Sequence, residues 1–229
     1  MHCHICDHHT ESFVDEKTQV LYYRCPECEC LFKDPVHYHS LDMQKARYDL
    51  HRNDEEDEGY RAYFQRFLDF VLPHVSGVEK ALDFGCGKST LLANILNNIN
   101  IECDAYDPLY HPIKLSDSKK YDIIVSTEVF EHLHDPRGVF SQLVSMLKEG
   151  GYLAIQTAFH PNDIASFKQW YYHKDPTHIV FFRPKTFEVL SRLYGCRLCA
   201  HNGKHIVVIR KDQSDLPARK PPAKDHCRL

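Results

Sequence analysis

The run Leu82-Asp83-Phe84-Gly85-Cys86-Gly87-Lys88-Ser89-Thr90-Leu91-Leu92 constrains the fold more than any other stretch of this chain. An apolar pair, Ala81-Leu82, leads into an acid, two glycines follow one residue apart, and an apolar helix-like segment comes next. Strand, tight turn and helix start bring backbone amides close to a nucleotide-type ligand. Taken alone, two glycines describe a surface turn equally well. No glycine stands five residues before Gly87, so Lys88-Ser89 does not complete a triphosphate-binding loop.

The surroundings decide in favour of a ligand loop, because strands and helices alternate from Lys80 onward. Lys80–Phe84, Ile101–Tyr106, Asp122–Ser126 and Tyr152–Thr157 read as strands, with a further short one over Ile113–Leu115. Helices are expected over Thr90–Leu96, near Val129–Leu133, and over Pro136–Leu147, the last closed by Gly150-Gly151. Ahead of them Tyr60, Tyr63, Phe64, Phe67, Leu68, Val71 and Leu72 form a helical stripe stopped by Pro73. Behind them a helix follows Pro184, and Asn202-Gly203 predicts a two-residue hairpin turn. The alternation predicts an α/β protein with a doubly wound, mostly parallel sheet.

Length and charge bound the remainder. The 229 residues suffice for one substantial domain and a small module. We expect a module over 1–35, a polar linker over 36–58 ending in Asp54-Glu55-Glu56-Asp57-Glu58, the main domain over 59–211, and a disordered proline- and lysine-rich tail over 212–229. A formal net charge of −4 gives no global pull toward nucleic acid or acidic membranes. No apolar run reaches about 18 residues and the N-terminus lacks an apolar signal core, so a cytoplasmic protein with no membrane partner is expected. Ten cysteines in that setting indicate metal binding or buried thiols rather than disulfides.

In a doubly wound sheet the ligand lies beyond the carboxyl ends of the strands, where strand order reverses. Asp83, Gly85 and Gly87 stand at the first such end. Asp107, followed by Pro108, stands at the second, 20 residues past Gly87, where a carboxylate can accept ribose hydroxyls. This suits a dinucleotide or another adenosine cofactor. The acid before the glycines and the missing third glycine, replaced by Thr90, disfavour a pyrophosphate and favour a cationic ligand.

Four motifs in order then resemble the class I S-adenosylmethionine-dependent methyltransferases. They are Leu82–Gly87, Ala105-Tyr106-Asp107-Pro108, Tyr121–Leu133 (YDIIVSTEVFEHL) and Leu147-Lys148-Glu149-Gly150-Gly151-Tyr152-Leu153. The resemblance implies a seven-stranded sheet. It also implies that Gly85 and Gly87 approach the methionine part of S-adenosyl-L-methionine with Asp83 near its amino group. Asp107 would bind the ribose, with Thr127 or Glu128 bordering the cofactor. The usual acid beside the adenine is not clear here, and Asp117 is the nearest match.

Glu128, Glu131 and His132 fall at i, i+3 and i+4, one face of a helix. Together with His178 they resemble metal-assisted O-methyltransferases, such as small-RNA 3′-terminal 2′-O-methyltransferases and ubiquinone-pathway catechol methyltransferases. Oxygen ligands favour Mg or Mn, and a hydroxyl bound beside the ion becomes more acidic. Without a metal, His132 or His178 would serve as general base, or Glu131-His132 would only pack the substrate side. Trp170, Tyr171 and Tyr172 are expected in a cap over the acceptor, or in the core.

Cys3, Cys6, Cys25 and Cys28 repeat a two-residue spacing across an 18-residue gap, the pattern of a structural Zn knuckle pair. Four thiolates close a tetrahedral site and leave no open position for chemistry. The module resembles zinc ribbons fused ahead of some bacterial methyltransferases. The leading expectation is methylation of oxygen on a small-molecule acceptor, with no particular oligomeric state implied. A small-RNA 2′-O-methyltransferase and an NAD(P)-dependent oxidoreductase are the alternatives, with a catalytically silent binding module as a third. The acidic balance and the lack of a basic, aromatic-interleaved stripe weigh against nucleic acid.

Overall fold

The computed structural model describes residues 1–40, 43, 45, 49, 57–112, 115 and 118–213. Asp54, Glu55, Glu56, Asp117, most of the strand expected over Ile113–Leu115 and the tail from residue 214 lie outside them.

Six strands form the main sheet: β4 (Lys80–Phe84), β5 (Glu102–Tyr106), β6 (Tyr121–Thr127), β7 (Leu147–Gln156), β9 (Cys196–His201) and β10 (Ile206–Lys211). Their order is β5-β4-β6-β7-β10-β9. The pairings from β5 to β7 are parallel and those of β10 antiparallel. The count is thus six among the described residues, not the seven expected.

Each face of the sheet is covered. Helices α1 (Glu58–Val71) and α2 (Leu91–Asn98) bury Phe64, Phe67, Leu92 and Leu96 against Ala81, Ile123, Val125 and Ala154. On the other face α3 (Pro136–Met146) and α4 (Pro184–Leu193) bury Phe140, Leu143, Phe187 and Leu190 against Leu82, Ile124, Leu153 and Val207. The alternation of strand side chains between two faces accounts for both sets. Asp57 caps α1 through the amides of Gly59 and Tyr60, so part of the acidic run does local structural work.

Three sequence expectations change. Gly150-Gly151 do not stop a helix ahead of a strand; they lie inside β7, at the place where the β6–β7 register shifts. A Cβ on Gly151 would sit 2.9 Å from the Lys148 carbonyl, which is why the close strand approach needs glycine. The β9–β10 turn is longer than two residues, because Asn202 Oδ1 accepts from the amides of Lys204, His205 and Ile206. Val129–Leu133 is no α-helix but a single 3-10 turn over Phe130–His132.

The N-terminal residues form β1 (Glu11–Asp15), β2 (Val20–Arg24) and β3 (Leu31–Lys33), and β3 pairs with β8 (Val180–Phe181) from far along the chain. A sheet therefore crosses the boundary expected near residue 35. Cys3, Ile5, Cys25, Cys28 and Phe32 share one core with Phe182 and Phe187. At the other end Asp212 pairs with Arg197 at 2.6 Å, so order continues past the expected start of the tail. Among the described residues, no helix is long and apolar enough to cross a membrane.

Candidate functional site

Strand order reverses between β4 and β6, so the loops after these two strands meet there. Gly85 and Gly87 take positive φ, 81° and 66°, which turns the chain sharply after β4. A Cβ on Gly85 would lie 2.3 Å from Val129 Cγ2, so the glycine loop packs directly on the segment after β6. Asp107, half-buried at the end of β5, accepts from three amides: Gly87 N at 3.1 Å, Leu109 N at 2.8 Å and Tyr110 N at 3.1 Å. A carboxylate has about four lone-pair sites, so three are taken here. Pro108 is exposed beside it, and Thr127 ends β6 opposite Gln156. Asp49 adds an unforeseen contact, meeting Lys88 Nζ at 2.7 Å and the Tyr110 hydroxyl at 2.9 Å over the loop.

Asp83 is 2% exposed on the central strand. Burial, with the Asp107 carboxylate nearby, raises its carboxyl to about 7. The folded chain then keeps a proton that the unfolded chain loses near pH 4, so stability falls as pH rises from about 4 to 7. Asp83→Asn removes this penalty. The variant's melting temperature relative to the parent should rise between pH 5 and pH 8 by roughly 5–10 °C, from about 2–4 kcal/mol. A pH-independent difference in thermal unfolding would show that Asp83 is not a strained acid.

Glu128 follows with φ 55°, a left-handed conformation rare outside glycine and common at functional sites. The residue as a whole is solvent-exposed, while its carboxylate is engaged by two tyrosines. Tyr63 of α1 donates to its Oε1 at 3.0 Å, and Tyr172 to its Oε2 at 2.7 Å. The Tyr172 hydroxyl also lies 2.5 Å from Glu131 Oε1. One phenolic proton cannot serve two carboxylates, so a second proton is needed. Burial and the Glu131 charge raise the Glu128 carboxyl to about 8, and burial raises Glu131 too, so that proton belongs to the pair. Glu131 is fully buried and raised by that burial, and its Oε2 has no partner.

The 3-10 turn splits the set expected on one helix face. Glu131, His132 and His178 come together with ligand atoms within 4.8 Å of one another, while Glu128 stands outside that triad. His132 Nδ1 donates to the Thr177 carbonyl at 3.0 Å, and His178 Nδ1 to that of Tyr172 at 2.8 Å. Carbonyls only accept, so both rings carry Nδ1–H and turn a basic Nε2 the other way. Metal-ligating histidines have this arrangement. Burial and His132 hold His178 neutral, down to about 3. A buried carboxylate with an oxygen within 4.8 Å of two such imidazoles fits a divalent cation. Tyr172 is buried in the site, Trp170 packs on Phe167 and Phe181, and Tyr171 is 73% exposed.

The four expected cysteines form the second group, with sulfurs within 4.8 Å of one another. Cys3–Cys28 and Cys6–Cys25 are each 3.5 Å apart, close to the roughly 3.8 Å edge of a tetrahedron with 2.3 Å Zn–S bonds. Two equivalent turns carry them. Cys3 N bonds His8 O and Asp7 N bonds Cys3 O, as Cys25 N bonds Cys30 O and Glu29 N bonds Cys25 O. Asp7 and Glu29 both take positive φ. Hydrogen bonds from Cys28 and Cys30 favour the Cys3 thiolate. Cys196 is buried and Cys199 exposed on β9, as their spacing in a strand requires.

Solved structures with similar folds include a SAM-bound amino pentose methyltransferase, CalS10, from Micromonospora echinaspora, involved in calicheamicin biosynthesis. It is 11% identical over 76% of this chain and 98% of its own, with a TM-score of 0.45. The N-methyltransferase NodS from Bradyrhizobium japonicum WM9, in complex with S-adenosyl-l-homocysteine, is 19% identical over the same shares, at 0.45. An O-methyltransferase family protein from Burkholderia thailandensis is 12% identical over 75% of this chain and 64% of its own, at 0.47. No curated protein matches the sequence. A family model described as a methyltransferase domain matches residues 54–201, well over half of the chain. The carboxylate-glycine loop, the acid at the end of β5 and this match converge: the chain belongs to the methyltransferase domain family and is an S-adenosylmethionine-dependent methyltransferase.

Proposed function

We propose that the chain methylates a hydroxyl oxygen of a small molecule, with a divalent cation held by Glu131, His132 and His178. The gathering of Glu131, His132 and His178 ligand atoms within 4.8 Å of one another, with both imidazoles fixed through Nδ1, supports this reading. A mixed oxygen and imidazole set suits manganese better than magnesium. Bound there, such a cation would lower the pKa of an acceptor hydroxyl. Glu128 takes the acceptor's proton at its carboxylate. Tyr63 and Tyr172 fix that carboxylate in place.

On the donor side Gly85 and Gly87 allow close backbone approach to the methionine part, and Asp83 offers a buried negative charge to the donor's cationic end. Asp107 takes the ribose hydroxyls, bordered by Pro108, Thr127 and Glu128. Accepting both hydroxyls needs two lone pairs where one remains, so the Gly87 amide must release Asp107 on binding. The packing of Gly85 on Val129, which directly precedes the Phe130–His132 turn, supports a donor held beside the acceptor for in-line displacement. In the N-terminal module Cys3, Cys6, Cys25 and Cys28 hold structural zinc.

Transfer from labelled donor to catechols, sugars, amines and small RNAs, each with and without Mn2+, tests the reading. We expect catechol-type turnover that needs the metal. Glu131→Gln should cut it by about 100-fold or more while S-adenosylhomocysteine affinity changes less than about threefold. Equal turnover of amines in a chelator would replace this reading with metal-free N-methylation.

A further inference from the structure

Lys33, the last residue of β3, is 4% exposed. Its Nζ donates to two backbone carbonyls, Asp175 O at 3.1 Å and Pro176 O at 3.4 Å. Burial lowers the ammonium to about 8, against the opposing pull of the Asp175 carboxylate. The acids nearby are engaged elsewhere. Asp15 accepts from Lys17 N and the Thr18 hydroxyl and pairs with His173, Asp34 accepts from Val36 N and the Tyr23 hydroxyl, and Asp175 accepts from the amide and hydroxyl of Thr177. A buried ammonium whose hydrogen bonds go to two neutral carbonyls keeps a strong field for a further oxygen acceptor.

Lys33 also lines an open groove of about 440 Å3, within the usual range for a small-ligand pocket. The groove lies between the N-terminal sheet and residues 173–176. Lys174, His37 and His39 add basic groups to it, and Tyr22 and Tyr38 supply apolar wall. His37 Nε2 accepts from the Leu21 amide, which puts the ring proton on Nδ1 as a donor. The Tyr38 hydroxyl is buried without a partner. An ammonium with a third N–H, a second lysine and imidazole donors beside aromatic walls select an anion with oxygen acceptors.

We propose that this groove is a binding site for a compact oxyanion, a carboxylate or a phosphate, seated on Lys33. The site is separate from the donor loop and the Glu131 cluster, and its existence does not depend on the methylation chemistry. It lies behind the segment whose other side presents Tyr172 and His178. The Asp175 carbonyl accepts from both Lys33 Nζ and His178 N, so an anion drawn to Nζ acts on the segment that holds His178.

Inorganic phosphate, titrated into the zinc-loaded full chain at constant ionic strength with S-adenosylhomocysteine present, provides the test. Calorimetry should show saturable binding with Kd about 1 mM or tighter, weakened about tenfold or more in Lys33→Met. Lys174→Ser, an exposed change that leaves the fold intact, should weaken it about threefold. Phenyl phosphate and benzoate separate the two sources of such an anion. Tighter binding than phosphate or acetate assigns the groove to the acidic group of a larger molecule lying over Tyr22 and Tyr38, whereas equal binding assigns it to a free anion. No saturation by the parent chain, or unchanged binding in Lys174→Ser together with any folded Lys33→Met, overturns the proposal.

Discussion

Asp107→Ala is expected to weaken S-adenosylhomocysteine binding by about 100- to 1000-fold. Two hydrogen bonds from ribose hydroxyls to a charged group are worth about 1.5–3 kcal/mol each, the lower end of which already gives this loss. The variant also strips the amides of Gly87, Leu109 and Tyr110 of their shared acceptor, so the donor loop loses its anchor to β5. Asp107→Asn, which keeps one carbonyl oxygen, should recover part of the affinity. Calorimetry of both variants, with thermal unfolding to confirm folding, decides the matter. Affinity within about threefold of the parent in a folded Asp107→Ala would remove Asp107 from the ribose site.

The second large effect concerns the cysteines. Metal analysis should find one zinc per chain, and Cys25→Ser should lose it together with most of the N-terminal module's structure. Apparent zinc-binding free energies of about 10–16 kcal/mol in small Cys sites exceed the stability of most domains. Cys25 shares a core with Phe32, Phe182 and Phe187, and β3 holds β8. Loss of zinc should therefore free the segment bearing Tyr172 and His178. Turnover should collapse while donor affinity survives, because β4, β5 and β6 lie in the other sheet. A zinc-free Cys25→Ser that melts and turns over like the parent would reduce the cysteines to core packing.

Local chemistry made much of this legible from the sequence. The two-residue cysteine spacing, the helical stripe of α1 and the acid-x-glycine-x-glycine turn each encode a geometry that the surrounding structure respects. What escaped depended on contacts between distant segments. Nothing near Lys33 in sequence indicates that β3 will pair with β8, or that Lys33 will reach Asp175 and Pro176. The Glu128–His132 spacing suggested a helix face. Yet Phe130 is buried against Phe182 and Phe187, and Ile179 N bonds Glu131 O, contacts that hold a tight 3-10 turn instead. Tyr172 stood in the sequence as one aromatic of three. Its role between two carboxylates follows from the fold of the 158–183 segment, which has no sequence periodicity to read. Gly150-Gly151 look like a helix stop, and only the closeness of the Lys148 and Asp122 carbonyls shows why a strand interior needs them.

In the proposed site a divalent cation sits between Glu131 and two imidazoles beside the methyl donor. Electron spin-echo spectroscopy of Mn2+ added to the zinc-loaded chain with S-adenosylhomocysteine tests it most directly. One bound Mn2+ coupled to two imidazole nitrogens is expected, with one coupling lost in His178→Ala and binding lost in Glu131→Gln. Bound manganese without nitrogen coupling, or no bound manganese at all, would contradict it.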